Sequence, residues 1–201
     1  MKRTGIVLLS AVLIAAAAGC IHLPPRFNLE PMGTIGLIEF RSEAKGNIAE
    51  YATQVFLEIL LKSQPGARIK ELGREDEVLR DIEANRLSPD ALEALRRRFG
   101  VDTLIVGTLE VSDIRPRVGL AAIISTLSVS AEVNAVLTAR LLDTRDGTTL
   151  WTDSARERST VANVSVVSGG GVIFDARDPE QAYGSLVRAL VRRATRDFQW
   201  R

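Results

Sequence analysis

Cysteine and histidine are almost absent from this chain. Its 201 residues include one cysteine, Cys20, and one histidine, His22. With a single thiol, neither an internal disulfide nor a cysteine-rich zinc site can form. A catalytic histidine has to be held by neighbouring groups, and His22 lies in a proline-rich stretch. We therefore expect no metal and no cofactor, and we predict that the protein is not an enzyme.

An excess of charge of either sign is also lacking. Lysine and arginine total 26 and aspartate and glutamate total 25, which gives a formal charge of +1. A chain this balanced is not expected to bind nucleic acid by electrostatic attraction. After Cys20 the sequence contains no apolar run of the roughly 20 residues that a membrane helix requires.

The amino end has the layout of a secretory signal. Met1, Lys2 and Arg3 form a short basic start, and residues 6–18 are apolar apart from Ser10. This run is shorter than the roughly 20 residues needed to span a bilayer, and small residues follow it. The pattern predicts a signal peptide over residues 1–19 that is removed from the mature protein.

The end of this signal, Ala17-Ala18-Gly19-Cys20, resembles the lipobox of bacterial lipoproteins, with Ala17 where leucine is usual. The resemblance implies cleavage before Cys20 and lipid, including palmitate, on that residue. Ile21 replaces the aspartate that tends to retain lipoproteins at the inner membrane, which points to the periplasmic face of the outer membrane. Loss of Lys2 and Arg3 would change the formal charge to −1. The alternative is an ordinary secretory signal and an incidental cysteine.

Two segments are predicted after the signal. Residues 20–33 contain three prolines and no clear periodicity, which favours a lipid anchor and extended tether. Residues 34–201 form one α/β periplasmic domain. Strands are predicted over 34–40, 67–72, 101–111, 127–141 and from residue 148, with the second near an edge. Helices are predicted after Asn47 with a capping box to Glu50, over 74–84, after Ser88 and after Asp178.

The fold class follows from this order. A strand that alternates with helices and is then followed by a long hairpin predicts a single α/β domain, with a mixed sheet, packed helices and an extended hairpin. The hairpin is predicted from the alternation of apolar and polar residues over 127–141 and from the turn at 143–147.

Three segments of this domain resemble a known group of proteins. They are Thr34-Ile-Gly-Leu-Ile-Glu-Phe40, the stretch from Arg97 to Asp113, and the hairpin containing Leu141-Leu-Asp-Thr-Arg-Asp-Gly-Thr-Thr-Leu-Trp151. They resemble the periplasmic lipoproteins of the curli secretion channel group, the penicillin-binding-protein activator lipoproteins and the amino-terminal domain of the Tol translocation protein. The resemblance implies a partner-binding or assembly component of the cell envelope. Its alternative is an oligomeric secretion component similar to the curli channel.

Two surfaces are candidates for contacts. Residues 118–127 are uncharged and apolar, and they either pack on the core or touch a membrane or partner; the candidate residues are Val118, Leu120, Ile123, Ile124 and Leu127. The last helix carries Arg188, Arg192 and Arg196 at intervals of four, either as a solvated face or as a contact for an anionic surface. The expected partners are the membrane, through the lipid, and an envelope protein or further copies of the chain.

Overall fold

The computed structural model describes residues 25–117, 129–166, 172–174 and 176–200. Its strands are β1 Thr34–Ile38, β2 Lys45–Gly46, β3 Arg68–Gly73, β4 Thr103–Arg117, β5 Val129–Asp143, β6 Thr149–Val166 and β7 Val172–Phe174. Its α-helices are α1 Ile48–Ser63, α2 Glu75–Asp81, α3 Pro89–Phe99 and α4 Pro179–Ala194, and short 3₁₀ turns occupy Glu30–Met32 and Arg196–Phe198.

The strands form one mixed sheet in the order β2-β7-β6-β5-β4-β1-β3. β1 lies between β3 and the first part of β4 and is parallel to both. β4, β5 and β6 then pair antiparallel along most of their length. The predicted α/β domain, its mixed sheet and its long hairpin are therefore confirmed. The predicted second strand, β3, does lie at an edge.

Helices cover both faces of the sheet. α1 and α4 pack on one face against the fully buried side of β5, which consists of Val133, Ala135, Leu137, Ala139 and Leu141. α2 and α3 pack on the other face, where Val78 and Leu95 meet Leu104 and Val106 in a smaller core. Burial of this apolar area is the main favourable contribution to folding, at about 25 cal/mol per Å².

Two helix starts form as predicted. The Ser88 hydroxyl accepts a hydrogen bond from the Ala91 amide at 3.3 Å, and a proline follows it. The Asp178 carboxylate accepts one from the Gln181 amide at 3.1 Å, again before a proline. Each side chain satisfies an amide that has no partner within the helix. Gly100 ends α3 with a φ of 67°, a left-handed conformation that glycine adopts without strain.

The predicted capping box at Asn47 is wrong. Asn47 precedes α1, but its side chain accepts no hydrogen bond from that helix. Its Oδ1 accepts one from the Tyr183 hydroxyl, and its Nδ2 donates to the Ala176 carbonyl at 3.4 Å. A contact with α4 has replaced the local cap, and such a long-range contact leaves no trace in the local sequence pattern.

The predicted strand 101–111 is longer in the structure. β4 continues through Pro116 to Arg117, with one extra residue between Ser112 and Arg115 relative to β5. This extra residue is a β-bulge. β1 pairs with β4 only as far as Ile105, apart from a bridge from Arg41 to Thr108. Pro116 therefore lies where β4 has one neighbouring strand, and its missing N–H can face the open side.

The outer edge of β6 is open over most of its length. β6 meets β7 only at Ser165 and Val166, so in the described part of the chain no strand borders it between Trp151 and Val161. Arg193 of α4 covers part of this edge. Its guanidinium donates to the Arg156 carbonyl at 3.0 Å and pairs with the Glu157 carboxylate at 3.0 Å.

Residues 25–33 are packed against the domain. Leu29 is fully buried, and its amide donates to the Gln64 side-chain oxygen at 3.1 Å. The Gln64 side-chain amide donates to the carbonyls of Phe27 and Phe198 at 3.2 and 2.7 Å. The part of the predicted tether that can be extended is therefore limited to residues 20–24, which lie outside the described range.

None of the helices in the described ranges combines the length and the apolar composition needed to cross a membrane.

Candidate functional site

A crevice opens at the carboxyl ends of the parallel strands. The loop after β1 leads to α1 on one face of the sheet, and the loop after β3 leads to α2 on the other face. Where neighbouring loops leave to opposite faces, a gap opens between them, and in open α/β sheets this is where ligands bind. The gap here has a volume of about 970 Å³, within the range of roughly 300–1,000 Å³ that is usual for binding sites.

Backbone hydrogen bonds fix one wall of the crevice. The Arg41 amide donates to the Gly107 carbonyl at 2.9 Å, and the Leu109 amide donates to the Arg41 carbonyl at 2.7 Å. The Ser42 hydroxyl donates to the Leu109 carbonyl at 2.6 Å and accepts from the Ala44 amide. The chain after β1 is therefore held along β4 before it turns into α1.

Phe40 forms the floor of the crevice. It is 2% exposed and packs edge-on against Phe56, with 5.0 Å between ring centroids. Its amide donates to the Thr53 hydroxyl at 2.9 Å. The ring lies directly over Gly107, where an added Cβ would be 2.5 Å from the Phe40 Cδ1. Only glycine leaves room for the ring at this position.

The lining of the crevice is acidic. Five carboxylates and two guanidinium groups line it: Glu39, Glu43, Glu50, Glu75 and Asp76, with Arg41 and Arg74. Both arginines are already paired, Arg41 with Glu75 at 3.3 Å and Arg74 with Asp76 at 3.1 Å. The lining itself therefore has three more acids than bases, and such an excess attracts cationic groups.

Glu39 is the carboxylate most affected by this arrangement. It follows β1 and is half-buried. Burial raises its pKa above 4.5, and the nearby carboxylates of Glu50, Glu77 and Asp76 raise it further, while Arg74 opposes them. The surroundings therefore destabilise the charged form of Glu39, and a cation placed beside it would be attracted to it.

The carboxylates of the crevice are not clustered in the way that ligands of one metal ion are. The lining contains neither histidine nor cysteine. In the part of the chain that the structure describes, no three side chains of the metal-binding types come together. Ser42 already bonds to the backbone on both sides. What the arrangement presents to a ligand is an excess of negative charge in a concave surface.

Six of the residues singled out in the sequence lie outside the described ranges. They are Cys20, Val118, Leu120, Ile123, Ile124 and Leu127. Their roles stay predictions. The strands that lead to and from residues 118–128 are described, and they pair as far as Arg117 and Ser130.

Arg188 belongs to an ion-pair cluster that joins α1 and α4. Its guanidinium donates two hydrogen bonds to Glu180, at 2.9 and 2.6 Å, and lies 3.8 Å from the Glu58 carboxylate. The Tyr51 hydroxyl also donates to Glu180. Arg188 and Tyr51 together lower the pKa of Glu180 to about 2, and burial followed by the Glu180 contact raises the pKa of Tyr51 to about 12. The charge of Arg188 is thus balanced within the molecule.

Arg192 and Arg196 are exposed on the following turns of α4 and the 3₁₀ segment. Arg196 lies 4.0 Å from the Asp153 carboxylate. Arg192 has no ion pair within the described ranges, and its carbonyl accepts a hydrogen bond from the Gln199 side chain. Of the three arginines that we proposed for an anionic surface, Arg192 is therefore the one whose charge is not paired with a carboxylate of the described residues.

Comparison with known proteins gives structural similarities at low identity. No family model and no curated protein sequence matches the chain. A PelC dodecamer from Paraburkholderia phytofirmans is 14% identical over 89% of this chain and 94% of that chain, with a TM-score of 0.48. Lipoprotein GNA1162 from Neisseria meningitidis is 18% identical over 64% and 83%, with a TM-score of 0.38. The LpoB C-terminal domain from Salmonella enterica is 9% identical over 66% and 96%, with a TM-score of 0.41.

The crevice residues were not singled out from the sequence. The relevant signal was the βαβ order itself, since ligands bind at the carboxyl ends of parallel strands where the connections diverge. Glu39 follows β1 and Glu75 follows β3, so both lie at such ends. To locate the crevice by this rule, one has to know that β1 lies inside the sheet with β3 beside it. The sequence pattern does not predict this order of strands.

Proposed function

We propose that this chain is a non-enzymatic envelope lipoprotein that is held at the periplasmic face of the outer membrane by lipid on Cys20 and binds a protein partner. The observation that supports partner binding best is the open, acidic crevice between the loops after β1 and β3. It offers five carboxylates, two of which pair with its arginines. A basic segment of the partner protein is the ligand that these charges fit.

The walls of the crevice suit a partner that binds along the surface. One wall is a chain segment bonded to β4, and the other is the start of α2. Glu43 and Glu50 are exposed at the rim, while Glu39 is half-buried below them. A lysine or arginine side chain that reaches Glu39 would offset the burial and the repulsion that raise its pKa.

Photo-crosslinking tests the partner site. A photoreactive residue replaces Glu43 in the full-length chain, and the matched control replaces Asp90, an exposed acid on α3 that does not line the crevice. We expect a discrete adduct from position 43 and none from position 90. Reversing the charge of the opposite wall with Glu75→Arg should weaken the adduct about tenfold, the effect of roughly 1.4 kcal/mol. Equal adducts from both positions would contradict the proposal.

Mass spectrometry tests the anchor. The amino-terminal peptide of the mature protein should begin at Cys20 and carry acyl groups on its sulfur and amine, and Cys20→Ser should release the protein from the membrane fraction. A mature chain that begins elsewhere, or an unmodified Cys20, would contradict the lipoprotein proposal. The mass of the detergent-extracted protein then separates one or two chains from a large ring, which would favour the secretion-component alternative.

A further inference from the structure

The chain leaves the described domain beside its most exposed aromatic residue. Trp200 is 52% exposed, and Leu61 on α1 is 47% exposed; these are the large apolar side chains that stand out from the described surface. The Trp200 indole N–H donates to the Ser63 carbonyl at 2.8 Å. Pro25, the first described residue, lines the same small hollow as Trp200 and Ser63.

Packing fixes this arrangement. The Phe27 ring meets Phe198 edge-on at 5.8 Å, and the Phe27 amide donates to the Asp197 carbonyl at 3.0 Å. Gln64 bonds to Leu29, Phe27 and Phe198 at once. The first and last described segments are therefore parts of one rigid end of the domain. We call it the Trp200 end, and it comprises residues 25–29, 61–66 and 196–200.

The distance from Cys20 to this end is limited by covalent geometry. Five Cα–Cα steps separate Cys20 from Pro25, and a fully extended chain covers at most about 3.6 Å per step, or roughly 18 Å in all. If Cys20 carries lipid, Pro25 therefore stays within about 18 Å of the lipid headgroups.

The long strands point away from the Trp200 end. β4 begins at Thr103, whose hydroxyl donates to the Met32 carbonyl at 3.3 Å, directly after the packed amino-terminal segment. It then runs 15 residues to Arg117, past the crevice. At about 3.3 Å per residue, the paired ends of β4 and β5 lie roughly 45 Å from Thr103. Five residues of chain cannot span that distance.

We propose that the Trp200 end is the surface that rests on the anchoring membrane, and that the crevice and the long hairpin face away from it. The proposal rests on the lipid anchor of the proposed function. Tryptophan is favoured at the headgroup level because its ring is apolar and its N–H is polar. Arg26, Lys62 and Arg192 are exposed near this end. Arg26 and Lys62 pair with Asp197 and Glu58, whereas Arg192 has no ion pair in the described part of the chain and is the cation that suits an anionic headgroup.

Tryptophan fluorescence tests this orientation in the full-length, lipidated protein. The chain has two tryptophans, and Trp151 is 7% exposed against Phe198. In the Trp151→Phe variant, Trp200 is the sole emitter. On vesicles of phosphatidylethanolamine and phosphatidylglycerol with brominated chains, we expect its emission to fall about twofold relative to unbrominated vesicles, since the ring lies at the interface. Trp151 in the matched Trp200→Phe variant should keep its emission.

A pair of labels tests the other half of the proposal. Since lipid would occupy the sulfur of Cys20, Lys62→Cys at the Trp200 end and Thr160→Cys near the far end of β6 can each carry a single fluorophore. Both positions are exposed. A quencher in the bilayer should reach the label at 62 and spare the label at 160.

The outcomes separate the two proposals. Flotation with the vesicles and the mass of the Cys20 peptide are measured on the same samples. Lipid on Cys20 with Trp200 unquenched, or with the label at 160 quenched more than that at 62, overturns the orientation and leaves the lipoprotein proposal standing. A Cys20 without lipid overturns both.

Discussion

At the amino-terminal edge of the parallel strands the chain closes over its own sheet, whereas at the carboxyl-terminal edge it leaves a crevice. The closed edge joins residues distant in sequence through Gln64, which is 5% exposed and bonded to three backbone groups. The open edge is lined by carboxylates with too few arginines to pair them. The same sheet therefore has one edge that hydrogen bonds between distant segments close, and one edge that is open and acidic.

The largest effect is expected where the closed edge is broken. Gln64→Ala leaves the Leu29 amide and the carbonyls of Phe27 and Phe198 without their partner, and unsatisfied buried groups cost about 1–3 kcal/mol each. We expect a loss of at least about 3 kcal/mol in the free energy of unfolding, measured by urea denaturation. Lys62→Ala, which removes an exposed ion pair with Glu58, is the control and should cost less than about 1 kcal/mol. Equal losses would show that Gln64 does not close this edge.

An intermediate effect is expected at the floor of the crevice. Gly107→Ala places a methyl group against the Phe40 ring, and overpacking of this kind costs about 1–3 kcal/mol. Phe40→Leu alone should also destabilise the protein, because it removes the contact with Phe56. In the double variant, the smaller Leu side chain should accept the added methyl, so the combined loss should be less than the sum of the two. Additive losses in thermal unfolding would contradict this packing.

The smallest effect is expected from Glu39 in the crevice. Here the substitution should stabilise the protein, whereas the previous variants should destabilise it. Because the pKa of Glu39 is raised on folding, the folded state binds its proton more tightly than the unfolded state. The stability that comes with this proton is present below pH 4.5 and is lost as the pH rises through the folded pKa. Glu39→Gln has no such loss, so at pH 7 it should be slightly more stable than the wild type, by no more than about 0.5 kcal/mol because solvent screens a carboxylate that is only half-buried.

The pH dependence is the test of this last prediction. Unfolding measured from pH 4 to pH 7 should show the two proteins converging at the acidic end. Glu83→Gln, an exposed acid away from the crevice, is the control and should follow the wild type. A Glu39→Gln advantage that is the same at every pH would contradict the electrostatic explanation.

Much of the fold could be predicted because it depends on local signals. Ser88 before Pro89 starts α3, Gly100 ends it, and the alternation over 127–141 is the strand Val129–Asp143. The failures have long-range causes. Asn47 bonds to Tyr183 instead of capping α1, and residues 25–33 pack because Gln64 lies within reach. A strand that continues through Pro116 depends on which edge of β4 is open.

The candidate site was less predictable than the fold. Its walls come from the chain after β1 and from the start of α2, about 35 residues further on, and no local pattern links them. Arg188 of α4 and Arg196 of the following 3₁₀ turn were visible in the sequence, but their partners Glu58, Glu180 and Asp153 come from α1, from α4 itself and from β6. Sequence spacing shows where charges are and does not show which of them are already neutralised.

The open edge of β6 has a consequence for association between copies of the protein. A bare edge strand is a template on which another chain can extend the sheet, and such growth has no natural end. Here a second strand would have to displace the Arg193 guanidinium from the Arg156 carbonyl and desolvate Glu157 beside it. One arginine from a neighbouring helix thus opposes extension of the sheet at this point, because each copy would lose these contacts before it could pair with another.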